Sequence, residues 1–217
     1  MSNTTREATE TWEYTIEYTL PLLERIGLRL EICTPRNYGL YDNEQNTLPR
    51  IPAYTAFGQL PLYCSNEWKR DEIRRYLRRQ GYGPKHPIIQ WIGLSLDEVA
   101  RMKRTGRKWI VNDWPLITIL KTYRGECQQI VLDAGLPMPP KSSCWMCPYR
   151  SNMQWRRLQD HYPGDWQNAI TLDYSIRERD EQHSLFIHRE AVPLDQADLE
   201  RNQLSLLDGC DSGYCWV

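Results

Sequence analysis

Two cysteines separated by two residues, Cys144 and Cys147 in KSSCWMCPYRSNMQWRRL (residues 141–158), constrain this chain more than any other feature. Such a pair sets two thiols on one tight turn, which suits a tetrahedral metal ion or an iron–sulfur cluster, and a proline directly after the second cysteine is shared with bacterial ferredoxin runs. A thioredoxin-like redox pair is the first competitor, but that motif starts a helix straight after a strand. Here the pair follows GLPMPPKSS, a proline-rich loop, which disfavours the redox reading. A metal needs further ligands. The remaining cysteines offer Cys64 with Cys127, Cys210 with Cys215, or the isolated Cys33. Cys33, at a strand end, reads as core. Cys127, in a helix beside YRGE, reads equally as a ligand and as a small buried hydrophobe. Cys210 and Cys215 lie in the Gly-rich GCDSGYCWV and suit a second metal clip or a cover over the first.

Seven cysteines with no secretory leader in MSNTTREATETWEY point to the reduced cytoplasm, where clustered thiols mean metal or redox chemistry more often than disulfides. No run of about 18 apolar residues exists, so no membrane span is expected. The net charge of −1 argues against a general polyanion-coating protein but leaves room for a local basic patch. Nine Trp and thirteen Tyr against two Phe favour half-wet pockets and stacking on planar ligands, with ordinary core packing taking most of them.

Residues 9–26 read as a helix capped by Thr9 or Thr11, bent or broken at Pro21 and ended by Gly27. LRLEIC (28–33) alternates like a strand, and 34–62 reads as a long surface excursion. Residues 65–80 form a helix that Gly81 stops. HPIIQWIGLS (86–95) reads as a buried strand, and SLDEVARMKR opens a helix with a capping box of Ser95 and Glu98. KWIVNDWPLI gives a short strand and turn. Further helices are expected over 118–134, 151–161 and 163–182, then an irregular tail over 183–217. The alternation predicts an α/β fold with a parallel sheet, organised as a domain over 1–182 with the tail packed on it.

Arg70, Arg74 and Arg78 share one helix face at i, i+4 spacing, where like charges repel by a few tenths of a kcal/mol each. An anionic substrate or nucleic acid offsets that repulsion on one reading; on the other the face is solvated and tempered by Glu67, Asp71 and Glu72. Lys69, beside Cys64, reads as functional. Arg150, Arg156 and Arg157 either bind phosphate or cover a helix with Trp155 and Leu158 inward. His86, His161, His183 and His188 have no HxxxH spacing, so histidine metal sites are not expected, and His188 reads as structural.

The segments YCSNEWK, WIGLSLDEVARM, YRGECQQIVLDAGLPMPPKSSCWMCPYRSNMQWRRL, FIHREAVPLDQADL and GCDSGYCWV, in that order, resemble the phosphoadenosine phosphosulfate (PAPS) reductase-like family. The branch is that of cysteine-rich phage and bacterial members, relatives of the DNA phosphorothioation sulfurtransferase, and the resemblance covers roughly residues 7–217. It implies an adenine nucleotide α-hydrolase fold, a Rossmann-like parallel sheet. It also implies a [4Fe–4S] cluster on Cys64, Cys127, Cys144 and Cys147, with zinc as the alternative metal. By the same resemblance Lys69, Asp97 and Glu98 are the catalytic candidates, and Gly93, Ser95 and Arg101 line a cleft for an adenine nucleotide or sulfonucleotide. The family's Ser-Gly-Gly-x-Asp-Ser phosphate loop has no counterpart in the sequence, so the backbone N–H groups that would cradle phosphate are missing. A partner protein carrying that loop, a truncated start, or loss of the nucleotide chemistry each account for this.

Two functional readings follow. One is an iron–sulfur enzyme or enzyme subunit, an oxidoreductase or sulfurtransferase that moves sulfur or electrons onto a nucleotide-activated substrate. The other is a non-catalytic, metal-stapled subunit that docks a partner protein or nucleic acid. The retained GLSLDE and YCSNEWK segments favour the first, the missing loop the second.

Overall fold

The computed structural model describes residues 1–182 and 184–200. Cys210, Cys215 and His183 therefore lie outside the described residues. The chain divides into two compact units, one built from Met1–Glu72 and the chain from Pro140 onward, the other from Ile73–Pro139.

The first unit opens with α1 (Thr9–Tyr14) and α2 (Leu20–Arg25), joined by a π-helical turn over Thr15–Thr19. The expected Thr cap is replaced. Asp165, from far along the chain, accepts from the Thr9 N–H at 2.7 Å and the Thr9 hydroxyl at 3.0 Å, satisfying an otherwise orphaned helix-start donor. The π turn sits just ahead of Pro21, whose missing N–H breaks the regular ladder. Gly27, at φ +71°, ends the helix as expected, with the Leu28 N–H returning to the Leu23 carbonyl at 2.8 Å. LRLEIC is not a strand. Among the described residues the segment forms one parallel bridge, Cys33 to Ser2, with the N-terminal amine donating to the Glu31 carbonyl, too short a pairing for a strand.

The expected excursion at 34–62 dips into the core. Ile51 and Ala53 are buried, and a small antiparallel hairpin, β1 (Tyr54–Thr55) and β2 (Gly58–Gln59), follows. A π-helical turn over Ser65–Arg70 then leads into α3 (Asp71–Arg79), and Gly81, at φ +89°, ends it. Late in the chain come α6 (Asn152–His161) and α7 (Pro163–Arg179), close to expectation. A capping box of Ser151 and Gln154 starts α6. Trp155 and Leu158 of α6 meet Ala169 and Ile176 of α7, and Leu185, Ile187, Leu194 and Leu199 close the core from the segment after α7. Each large apolar side chain so buried contributes about 1.5–3 kcal/mol.

The second unit holds β3 (Ile88–Trp91) and β4 (Ile110–Asp113), paired in parallel with Ile88 opposite Ile110 and Trp91 opposite Asp113. The chain is thus mixed α/β with a small parallel sheet. The expected buried strand is only half covered. Ile88 and Ile110 face inward, while Ile89 (68% exposed), Trp91 (74%) and Val111 (55%) share the opposite face. Among the described residues the sheet has two strands, and no layer covers that second face. The expected capped helix at 95 is a short 3₁₀ stretch, Leu96–Arg101, without a side-chain cap. A short helix α4 (Pro115–Thr118) precedes α5 (Arg124–Asp133). The expected helix over 118–134 loses its first turn because Lys121 takes a left-handed conformation, φ 52°.

Candidate thiol pocket

Three of the four cysteines drawn from the resemblance line one pocket of the first unit. Cys64, Cys144 and Cys147 share it with Ile51, Trp68, Lys69, Met146 and Tyr149, in a volume of about 490 Å³ that includes its open mouth. The π turn accounts for half of the wall. Closing i→i+5 rather than i→i+4, it brings residue 69 back round toward residue 64, so Cys64, Ser65, Trp68 and Lys69 all reach the same pocket.

The other half comes from the Cys144–Cys147 turn, closed by the Cys147 N–H on the Cys144 carbonyl at 3.1 Å. Arg150, 2% exposed, donates from Nε to that same carbonyl at 3.2 Å. Its guanidinium also lies over the Trp155 ring, 5.7 Å from the centroid. Arg150 therefore holds the turn's backbone, while Arg156 pairs with Glu200 and Arg157 with Glu10. These three arginines serve the packing reading. His188 does too: it is buried, and Nε2 lies 2.9 Å from Asn152 Oδ1. Burial lowers its pKa, keeping the ring neutral.

Sequence reasoning missed the role of residues 2–8. The Trp145 N–H donates to the Arg6 carbonyl (2.9 Å) and the Ala8 N–H to the Ser143 carbonyl (3.1 Å), so this segment pairs across the cysteine turn. Thr4 Oγ1 lies 2.6 Å from Glu7 Oε2, to which it donates, and 3.4 Å from Cys144 Sγ. The hydroxyl's single proton goes to the carboxylate, so its free lone pair faces the thiol.

Burial favours the protonated form of the Cys64 and Cys144 thiols. Burial pushes Cys64 up to about 12, reinforced by Cys147 and Cys144 and eased by Lys69 and the Ser65 N–H. Burial also raises Cys144, again with Lys69 opposing. A reactive dithiol needs the opposite shift, which argues against thioredoxin-like chemistry. Among the described residues no three His, Cys, Asp or Glu side chains converge on a point as ligands of one ion would.

Cys127 lies in the second unit, on α5, where burial raises its pKa with help from Glu126 and Asp97. Asp97 accepts from the Arg124 N–H at 2.6 Å and the Ser95 hydroxyl at 3.2 Å, and the first of these does most to lower its pKa. It thereby caps the start of α5. Glu98 pairs with Arg101. Ser95, Asp97, Glu98 and Arg101 are thus brought together and engaged mainly with one another, and a Cβ at Gly93 would meet nothing within 4 Å. The sequence-predicted site residues fall into two groups, the thiols with Lys69 in one unit and the Ser95–Arg101 set with Cys127 in the other.

No protein-family description, curated protein or solved structure matches the chain. No helix among the described residues is long and apolar enough to cross a membrane.

Proposed function

We propose that this chain is a PAPS reductase-like iron–sulfur protein with a Rossmann-like sheet, acting in sulfur or electron transfer to a nucleotide-activated substrate. The observation that carries the proposal is the meeting of Cys64, Cys144 and Cys147 in one largely apolar pocket with Lys69. Soft thiolates select iron–sulfur clusters, copper(I) or zinc, and the resemblance to cluster-bearing proteins favours a cluster over one zinc ion. Cys64, Cys144 and Cys147 would hold it. A bound cluster supplies an electron or an iron to which sulfide attaches.

The rest is the work of the chain's own groups. Lys69 lowers the cost of ionising Cys64 and Cys144. Trp68, Met146 and Ile51 keep water from the pocket, and Arg150 and the 2–8 segment hold the cysteine turn in place. The missing phosphate loop predicts that the chain alone releases little pyrophosphate from ATP.

Anaerobic reconstitution with iron and sulfide tests the proposal. The expected product is brown, with about four irons per chain by a cubane-type stoichiometry, and Cys144→Ser or Cys147→Ser bleaches it. A colourless protein holding one stoichiometric zinc overturns the cluster and leaves a structural thiolate site.

A further inference from the structure

Residues 73–139 carry twelve Lys and Arg against five Asp and Glu, whereas the whole chain carries 27 against 28. The second unit is strongly basic inside a nearly neutral chain. All five of its acids are already engaged: Asp97 with Ser95 and the Arg124 N–H, Glu98 with Arg101, Asp113 with the Trp114 N–H, Glu126 with the Tyr123 N–H and Asp133 with the Gln129 amide. Lys85, Lys103, Arg104, Arg107 and Lys108 are all exposed, and none takes part in an ion pair among the described residues.

The topology gathers three of these charges at one end of the sheet. Lys85 leads into β3 while Arg107 and Lys108 lead into β4, and the strands are parallel, so the three lie together there. The Lys103 carbonyl accepts from the Asn112 amide at 2.8 Å, and Asn112 alternates with Val111, so the 103–104 turn lies beside β4 toward the covered face. Next to the charged end stand Ile89, Trp91 and Val111, an apolar strip whose one planar ring is 74% exposed, with Asp113 the register partner of Trp91. An aliphatic partner would bury the strip and waste the charge. A duplex would use the charge and waste the ring, since its bases are stacked inside. A single strand offers phosphates for the basic residues and unstacked bases for the ring.

We propose that the open face of the β3–β4 sheet binds single-stranded nucleic acid, stacking a base on Trp91 with phosphates held by Lys85, Arg107 and Lys108. The surface belongs to the second unit alone and stands whether or not the thiol pocket holds a cluster. Charge complementarity selects the occupant, and the shape of the strip selects the strandedness.

The test is fluorescence anisotropy of the full chain with a labelled oligothymidylate of about 16 nucleotides, a length within single-strand site sizes. A matched oligouridylate arm tells DNA from RNA. Binding at low salt is expected to weaken with a log–log salt slope of about −2, as neutralising about three phosphates of a single strand requires. Trp91→Ala weakens binding by roughly five-fold or more, the lower end of what losing one stacked base costs. Removing it opens no cavity, because Trp91 is 74% exposed, and circular dichroism checks that the fold is intact. The double change Arg107→Gln, Lys108→Gln makes the slope shallower by about 1.4. Arg25→Gln in the first unit changes neither.

No binding at the lowest salt overturns the proposal. So does an affinity unchanged by Trp91→Ala, or equal losses for Arg25→Gln and the double variant. A sedimentation dimer that Trp91→Ala dissociates assigns the strip to a second copy and overturns it as well.

Discussion

Replacing Asp173 by Ala should cost this chain a large part of its stability and open the thiol pocket from a distance. Asp173 is completely buried on α7. Its Oδ1 accepts from the Ile187 N–H at 2.8 Å, its Oδ2 from the Leu194 N–H at 3.0 Å, and its carboxylate pairs with Arg177 one turn on. Arg177 is 8% exposed and stacks over Phe186, 5.2 Å from the ring centroid. The Ala variant removes the carboxylate that the buried Arg177 guanidinium pairs with and leaves two buried N–H groups without their acceptor. Breaking one side of a buried ion pair costs about 3–5 kcal/mol, and each orphaned donor about 1–3 kcal/mol, though the terms do not add in full. A loss of about 4 kcal/mol or more is expected, against a total of about 5–15 kcal/mol for a typical domain. Phe186 and Tyr54 exchange backbone hydrogen bonds at 2.7 and 3.0 Å, and Ile51 and Pro52 just before Tyr54 line the pocket. Loosening residues 185–194 therefore loosens that wall. Urea unfolding followed by Trp fluorescence gives the stability, and alkylation of Cys64 under native conditions gives the pocket. Asp173→Asn, which keeps one acceptor oxygen, should cost about half as much. A loss under about 1 kcal/mol for Asp173→Ala would refute the anchoring role, since that is the range of an ordinary surface change.

Three further outcomes are expected. Because Cys64 is raised to about 12 in the folded metal-free protein, against about 8.5 for an ordinary thiol, its contribution to stability is complete below about 8.5. It is lost as pH rises toward 12. Urea midpoints of the metal-free protein should fall more steeply between about pH 9 and 11 than those of Cys64→Ala, and parallel slopes would remove the assignment. Thr4→Val, which takes a donor from the buried Glu7 and a partner from Cys144, should destabilise by about 1–2 kcal/mol and speed alkylation of Cys144; an unchanged rate would mean the 2–8 segment does not guard the turn. Lys69→Met should slow alkylation of Cys64 and Cys144 at alkaline pH by removing the cation that favours both thiolates. Faster labelling would show that Lys69 acts as a lid instead.

What the sequence disclosed, it disclosed through local chemistry. The Gly27 and Gly81 stops, the Ser151 start of α6 and the Asp160–Pro163 break each depend on a few neighbouring residues. The Cys64, Cys144 and Cys147 grouping came from motif resemblance, since spacing alone left Cys210 and Cys215 equally open. What escaped was tertiary. LRLEIC has the alternation of a strand but too short a pairing beside it, and pairing is a property of two segments. HPIIQWIGLS has the apolar run of a buried strand, yet burial depends on layers that its own residues do not specify. Ser95 matched the capping-box pattern, but its hydroxyl turned to Asp97, which in turn caps α5 across a long stretch of chain. The net charge of −1 concealed a basic unit within an acidic remainder. Charge summed over a chain carries no information about where folding sorts it.

The protonation of the thiols explains how such a pocket exists before anything is bound. Three thiolates around one apolar space would repel each other and lose their hydration, a cost that Lys69 alone does not offset. Neutral thiols avoid it: cysteine in its protonated form packs as a small hydrophobe, and Cys144 does so within the main core cluster. Its sulfurs are drawn from segments eighty residues apart in sequence, Cys64 on one side and Cys144 and Cys147 on the other. Under the proposed function, binding a thiophilic metal would exchange protons for metal cations, so that each thiolate would gain its positive partner as it loses its proton. Affinity for any thiophilic metal must for that reason rise steeply with pH. A pocket built of low-pKa cysteines would show no such slope near neutrality, and would be open to oxidation while it waited.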